Sequence, residues 1–371
     1  QNLVIDNTHG VMEVLNGAIN IGDLASNGIG NVDVIGGNWL SHELNVGAGS
    51  GIINLNVNEL TGLINMNALE IHMGAMTDTL VIGNVCATGD PTFYNSAGNI
   101  ALNGALSYGA SVAFLASGNI NLAGASSLTT NNSGGSITMI AGSTWTGPGG
   151  NNLTAGTDVT GATAGDNINT FTNITSSGGS IDLVTGFAFT NMLSNSTTVN
   201  SGGQINLVAG SITLPAITIN SGGVAGQNNG NVTVVATSGN IVAGSTNFNT
   251  NSGGTGNTGT GTVRIASATP DFAAFSIAAG GAPVGTIALG ADGAGTVSIG
   301  AITTRGAAVS VTSGNAAVTT GAITTSSTAG VGGNVTVTTN GNSGNITTGA
   351  ITSSSTSGAT EAGTVTLTST G

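Results

Sequence analysis

The chain of 371 residues carries a formal net charge of −13, yet only 5% of its residues are charged and 3% aromatic, while glycine supplies 64. Its two basic residues, Arg264 and Arg305, cannot neutralise a phosphate backbone, so nucleic acid is excluded as a partner. No apolar run is long enough for a membrane span, and the single cysteine, Cys86, excludes an intrachain disulfide and reads as a small buried hydrophobe.

Low charge with abundant glycine suits either disorder or repetitive β structure. Disordered chains lack regularly placed β-branched residues, whereas Val, Ile and Thr recur here throughout, so β structure is expected. Residues 1–90 form the more apolar and acidic region, holding His9, His42, His72 and most of the acids. Alternation in Ile19-x-Ile21, Val32-x-Val34, Ile53-x-Leu55-x-Val57 and Leu69-x-Ile71-x-Met73 predicts short strands with one buried face. Pro91 interrupts that pattern and marks a seam.

Residues 91–371 are rich in Gly, Asn, Ser and Thr and restate one phrase, a glycine turn followed by apolar-x-apolar. GNIALNG begins at Gly98, GNINLAG at Gly118, GGSITMIAG at Gly134, GGSIDLVTG at Gly178 and GGQINLVAG at Gly202. GNVTVVA, GTVRIAS, GTIALG, GTVSIG, GNVTVTT and GTVTLTS follow, and a second phrase, GAITT or GAITS, begins at Gly300, Gly321 and Gly349. The first apolar positions of these phrases are separated by 17 to 31 residues, with Ile137 to Ile181 read as two periods. A fixed phrase at variable spacing sends the excess into loops.

No capped segment with a 3.6-residue period is present, so no helix is expected. The predicted fold is all-β, a right-handed parallel β-helix with short strands and variable loops. At about 20 residues per coil it would make roughly 18 coils, with strands about 4.8 Å apart. Stacking accounts for the reduced alphabet, because like charges repel when each position meets its own copy, whereas Asn, Ser and Thr ladders hydrogen-bond. Ile137, Met139, Ile181, Leu183, Val335 and Val337 are expected inside, Thr138, Asp182, Asn206, Thr336 and Thr338 outside, and glycines at the corners in positive-φ conformations.

GNINLAG, GGSITMIAG, GGQINLVAG and the alternation of GAITTSSTAG with GGNVTVTT resemble the filamentous-haemagglutinin-like, β-strand-repeat surface proteins of bacteria, over residues 90–371. The resemblance implies export and a role as an adhesin, sheath or matrix component. The N-terminal region lacks the Asn-Pro-Asn-Gly motif usual in that family's secretion domain.

Chemistry-bearing residues are sparse. Beyond Pro91 the acids are Asp158, Asp166, Asp182, Asp271, Asp292 and Glu361, spread widely, so the clustered carboxylates of a polysaccharide-degrading β-helix enzyme are not expected. No cofactor is expected, with calcium the mildest alternative. His9, His42 and His72 are the weak metal candidates, each near an acid. Trp39, Trp145, Tyr94 and Tyr108 read as core fillers before glycan-stacking residues. Asn-x-Ser/Thr triplets such as those at Asn231 and Asn334 read as products of the Gly-Asn-Val-Thr phrase.

Strand-like sequence surrounds Leu3, Val4 and Ile5, and again Val365 and Leu367. Such edges favour pairing with neighbours, and a contact of this kind that does not close builds filaments. The expected function is therefore that of a secreted, extracellular structural protein that is not an enzyme and whose main partner is itself, head to tail. The alternative is a monomeric adhesin stalk binding a host, mineral or glycan surface.

Overall fold

In the computed structural model the described residues are 3–7, 10–21, 30–87, 91–109, 111–131, 135–142, 144–146, 158–160, 167–169, 173–176, 181–185, 188–189, 198–201, 205–209, 211–214, 218–221, 230–236, 239–244, 246–250, 261–267, 274–279, 282–288, 295–304, 306–314, 316–327, 330–340, 344–355 and 361–370. Every regular element among them is a strand, and all but two hairpins pair in parallel, the arrangement of a β-solenoid. No helix among them is long and apolar enough to cross a membrane.

Two compact units are present. One comprises Gln1–Thr172 with Ala274–Ala288, the other Asn173–Ala273 with Leu289–Gly371, so the compositional seam at 90/91 falls inside the first. There the strand Thr92–Asn95 continues the sheet of Glu70–Ala75, with His72 opposite Thr92.

Among the described residues, each coil of the first unit up to Thr130 has two strands. A short one, such as Ile52–Asn56 or Glu70–Ala75, lies on a first face, and a long one, such as Glu59–Ala68 or Asn99–Tyr108, bends across the remaining two. Register shifts between Leu40 and Glu43 and between Ile64 and Met66 make the bends. At Gly62 the bend needs φ +92°, and a Cβ there would meet the Ser41 carbonyl oxygen at 2.3 Å. The core grows in size along the chain, with Val34 stacking on Leu55, then Met73, Phe93, Phe114 and Met139. Phe93 and Phe114 stack with ring centroids 5.2 Å apart, and Tyr108 packs against both.

Coils of the second unit have three short strands. Val309–Ser313, Val318–Thr320 and Ile323–Thr324 make one coil, and Val335–Thr339, Ile346–Thr348 and Ile351–Thr352 make the next. Its first face holds the inward columns Ile205, Val232, Val263, Val309, Val335, Val365 and Leu207, Val234, Ile265, Val311, Val337, Leu367, without a register shift. The pairing of β faces never closes into a barrel, because each strand bonds only to the coils before and after it.

Several expectations need correction. The two glycine phrases are not copies of one strand. GNINLAG lies on a bent strand, where Ile100 pairs with Ile120, whereas Ile137 of GGSITMIAG belongs to the first face and pairs with Val112. GAITT and GAITS make a third-face strand, with Ile302, Ile323 and Ile351 in one column. Gly285, Thr286, Ile287 and Ala288 of GTIALG lie in the hairpin Ala274–Ala279/Ala282–Ala288, which is antiparallel and not a coil, and the rest of that phrase lies outside the described residues. The interval from Ile137 to Ile181 holds the antiparallel hairpin Thr144–Thr146/Asp158–Thr160 and two short strands, Asn167–Asn169 and Asn173–Ser176, not a further first-face strand among the described residues. Among the described residues each unit has seven first-face strands, fewer than a 20-residue period predicts.

Inside and outside also differ in part. Val335, Val337, Ile181 and Leu183 are buried as expected, and Thr336 and Thr338 are half-exposed. Thr138 and Asp182 are buried although they alternate with inward residues, Leu69 is exposed ahead of its strand, and Cys86 is exposed on the outer side of Thr79–Ala87. The strand Val112–Ala116 is buried on both sides, and the hairpin Ala274–Ala279/Ala282–Ala288 contacts it and Ile137–Ala141. Continuous apolar runs such as VAFLA signal two covered faces.

Candidate functional site

The recurrent phrase Gly-Asn-Val/Ile is a device for seating one coil on the next. Positive φ does not explain its glycine, since among the described glycines only Gly36, Gly37, Gly49, Gly62, Gly142 and Gly306 are left-handed. Close approach does. A Cβ on Gly261 would lie 1.8 Å from the Gly230 carbonyl oxygen, on Gly333 2.1 Å from that of Ala307, and on Gly363 2.3 Å from that of Gly333. The asparagine that follows offers its side-chain oxygen to the next coil: Asn231 accepts from the Thr262 amide at 2.9 Å, Asn240 from Thr296 at 2.8 Å and Asn334 from Thr364 at 2.9 Å. The Asn-x-Thr triplets at Asn231 and Asn334 are thus structural, with their amides engaged in the stack.

A second device was not legible as such in the sequence. Where the chain turns from the third face to the first, a buried hydroxyl donates to the carbonyl two residues ahead of the next first-face strand. Thr250 bonds Gly261 at 2.6 Å, Thr304 bonds Ala307 at 2.7 Å, Thr325 bonds Gly333 at 2.6 Å and Thr130 bonds Gly135 at 2.8 Å. At the next corner Thr339 repeats the arrangement on Gly344 at 3.1 Å, whereas Ser313 reaches back to Gly295 of the preceding coil at 3.0 Å. All six hydroxyl side chains are fully buried, so each bond satisfies groups that water does not reach. A Thr or Ser at the end of the strand before the corner is the only sequence signal for this, and Thr and Ser are too common here to stand out.

Carboxylates fit the stack by meeting an amide in the neighbouring coil. Asn54 donates to Asp33 and Asn206 to Asp182, both at 2.6 Å, Asn38 to Glu59 at 2.9 Å and Asn65 to Glu43 at 2.5 Å. Asn65 also donates to Asn45, which donates to Asn20, giving an amide ladder.

His9 lies outside the described residues. His42 is exposed at the bend of Asn38–Gly47, whereas His72 sits on the first face between Asn54 and Thr92, so these two do not share a column. No group of three or more His, Cys, Asp or Glu residues that could hold a metal ion occurs among the described residues. Trp39, Tyr94 and Tyr108 are buried core residues, and the Trp145 side chain lies outside the description. Burial pushes both phenols well above the usual range, with a Ser96 hydrogen bond opposing the shift at Tyr94.

Two surface grooves open on the first unit. One of about 460 Å³ is lined by Asn38, Asn58, Glu59, Thr61, Asp78 and Thr79 among others, and one of about 520 Å³ by Asn65, Asn84, Cys86 and Ser107 among others.

The remaining candidates are the outermost coils. Leu3 and Ile5 continue the inward columns of Val32 and Val34, yet Leu3 is 44% exposed and its outward neighbour Val4 57%. Val365 and Leu367 continue the columns of Val335 and Val337 and are 45% and 51% exposed, whereas those partners are fully buried. Comparison of the chain with protein-family models, curated proteins and solved structures found no match.

Proposed function

We propose that the chain is an extracellular structural protein whose solenoid stacks end to end with further copies of itself into a surface filament, sheath or matrix fibre. The observation that carries this reading is the stack itself, in which coil seats on coil in parallel through continuous columns of core residues such as Val263, Val309, Val335 and Val365, a pairing open equally to coils of separate molecules. The low charge supports it as well, since coils that stack without like-charge repulsion also stack between molecules. Export to the surface draws its support from the resemblance of the repeat phrases to haemagglutinin-like proteins. Fibre diffraction or cryo-microscopy of concentrated protein is expected to show an axial repeat of about 4.8 Å. Strictly monomeric particles at high concentration would overturn the reading.

A second reading, an adhesin stalk, is favoured by the groove around Glu59 and Asp78, whose carboxylate and amide groups suit sugar hydroxyls. Binding to immobilised glycans that is lost in Glu59→Gln with Asp78→Asn would select it, and no binding by the unmodified protein would remove it.

A further inference from the structure

We propose that the outer side of the strands Val112–Ala116 and Ile137–Ala141 is a docking surface for the hairpin Ala274–Ala279/Ala282–Ala288, and that the hairpin of a second copy takes this surface in exchange for the chain's own. The contact lies on the flank of the coils and does not rest on end-to-end stacking.

Register defines the surface. Phe93, Phe114 and Met139 form the inward column of these coils, so their neighbours on either side in each strand face out. Those neighbours make two outward columns, Thr92 with Ala113 and Thr138, and Tyr94 with Leu115 and Ile140. None of the six is more than 4% exposed. In the coils before them the same columns carry Asp33, Asn54, His72 and Asn56, all of them part-exposed. An outward row that changes from wet polar groups to dry Tyr, Leu and Ile has a second layer over it.

The element that touches this row comes from far along the chain. Strand Ala274–Ala279 contacts both Val112–Ala116 and Ile137–Ala141, and strand Ala282–Ala288 contacts Asp158–Thr160 of the neighbouring hairpin. The hairpin contains Phe275, Ile277, Val284 and Ile287 and no charged residue, a composition suited to a dry surface.

Its connections make it exchangeable. Among the described residues its two strands form a ladder only with each other, so it is no part of the coil ladders. A two-stranded hairpin is marginal by itself and draws its stability from what it packs on. The chain on both sides of it, Asn173–Ala273 and Leu289–Gly371, belongs to the second unit, whereas the hairpin belongs to the first. Its covalent tether therefore does not run through the coils it covers. Every copy presents the same surface and the same hairpin, so exchange keeps each contact while joining two molecules. Crowding copies together raises the concentration of foreign hairpins toward that of the tethered one.

The test uses the full chain with the photoreactive analogue p-benzoylphenylalanine in place of Phe275 and, in a separate variant, of Ser276, so that both sides of the strand are sampled. Isotopically heavy and light copies are unfolded, refolded together and irradiated, and cross-linked peptides are sorted by mass. Links from the hairpin to residues 112–116 or 137–141 are expected, with the share of heavy-light links rising several-fold as protein concentration is raised. No link to those strands from either probe would overturn the docking surface. Links that stay within one isotope at every concentration would overturn the exchange. The axial repeat is measured on the same samples. Fibres whose links stay within one isotope leave end-to-end stacking standing and remove the exchange, whereas mixed links in particles without the repeat do the reverse.

Discussion

The two units build the same kind of coil from different materials. The first bends long strands through register shifts and fills the interior with Trp39, Phe93, Phe114, Tyr108 and Met side chains. The second cuts each coil into three short strands, packs it with Val and Ile, and closes its corners with buried Ser and Thr hydroxyls. Bulk allows the first unit to tolerate irregular bends, since large side chains fill the space a bulge opens. The second unit lacks that bulk, and its corners depend on hydrogen bonds and on glycines that let one backbone touch the next.

The comparison can be broken most severely at the aromatic stack. Phe114→Ala is expected to cost the first unit about 3–5 kcal/mol, and hydrogen exchange should show protection lost in residues 70–141 while 297–352 stay protected. An equal loss in both units would mean that they do not differ in where their stability lies.

Glycine close approach comes next. Gly261→Ala places a methyl group 1.8 Å from the Gly230 carbonyl oxygen. The coil must shift, at a cost of about 1–3 kcal/mol, read as a lower denaturation midpoint and reduced protection at Val263–Ser267. Unchanged stability would show that the glycine is not required by packing.

Thr325→Val tests the hydroxyl corners with little change of shape. It removes the 2.6 Å donor of the Gly333 carbonyl, which keeps the Ser353 hydroxyl at 2.9 Å, for an expected loss of about 0.5–1.5 kcal/mol. Ser310→Val, half-exposed on the first face, serves as the control and is expected to change little.

The smallest effect is expected at Tyr108, a fully buried phenol whose hydroxyl finds no partner among the described residues. Burial raises its folded pKa above the unfolded value. Below about pH 10 both states are protonated and the fold is unaffected, while above that value the unfolded phenol ionises and the folded one does not, so stability falls as pH rises. Tyr108→Phe should be as stable as the parent at pH 7, or more so by about 1 kcal/mol, and its unfolding midpoint should decline less between pH 10 and pH 12. An identical alkaline decline in both proteins would show that another group controls it.

Much of the coil was legible. Alternation around Val335 and Val337, Ile53 and Leu55, or Ile205 and Leu207 identified inward columns because a strand with one wet face must alternate. What the phrases did not reveal was which face each belonged to. GNINLAG and GGSITMIAG share a pattern, since every strand start needs a turn followed by two core residues, but they lie on different faces of the coil. Cys86 was misread for a related reason. Its position in an apolar stretch suggests burial, yet a bent strand alternates afresh after each register shift, and that shift is not written in the local pattern. His42 and His72 lie on different faces of the coil, which their separation in sequence does not show.

By itself the sequence determined that this chain is all-β, parallel, stacked and low in charge, because periodicity, β-branching and glycine spacing act locally and leave few other folds open. Only the tertiary structure decided which coil meets which, how far loops and hairpins interrupt the stack, and that hydroxyls and asparagines fasten the corners, with left-handed glycines at only a few of the described turns, such as Gly62 and Gly306. Those features depend on contacts between residues 18 to 56 positions apart, as from Ile53 to Ile71 and from Ile241 to Val297, and no local pattern encodes a distance that varies that much.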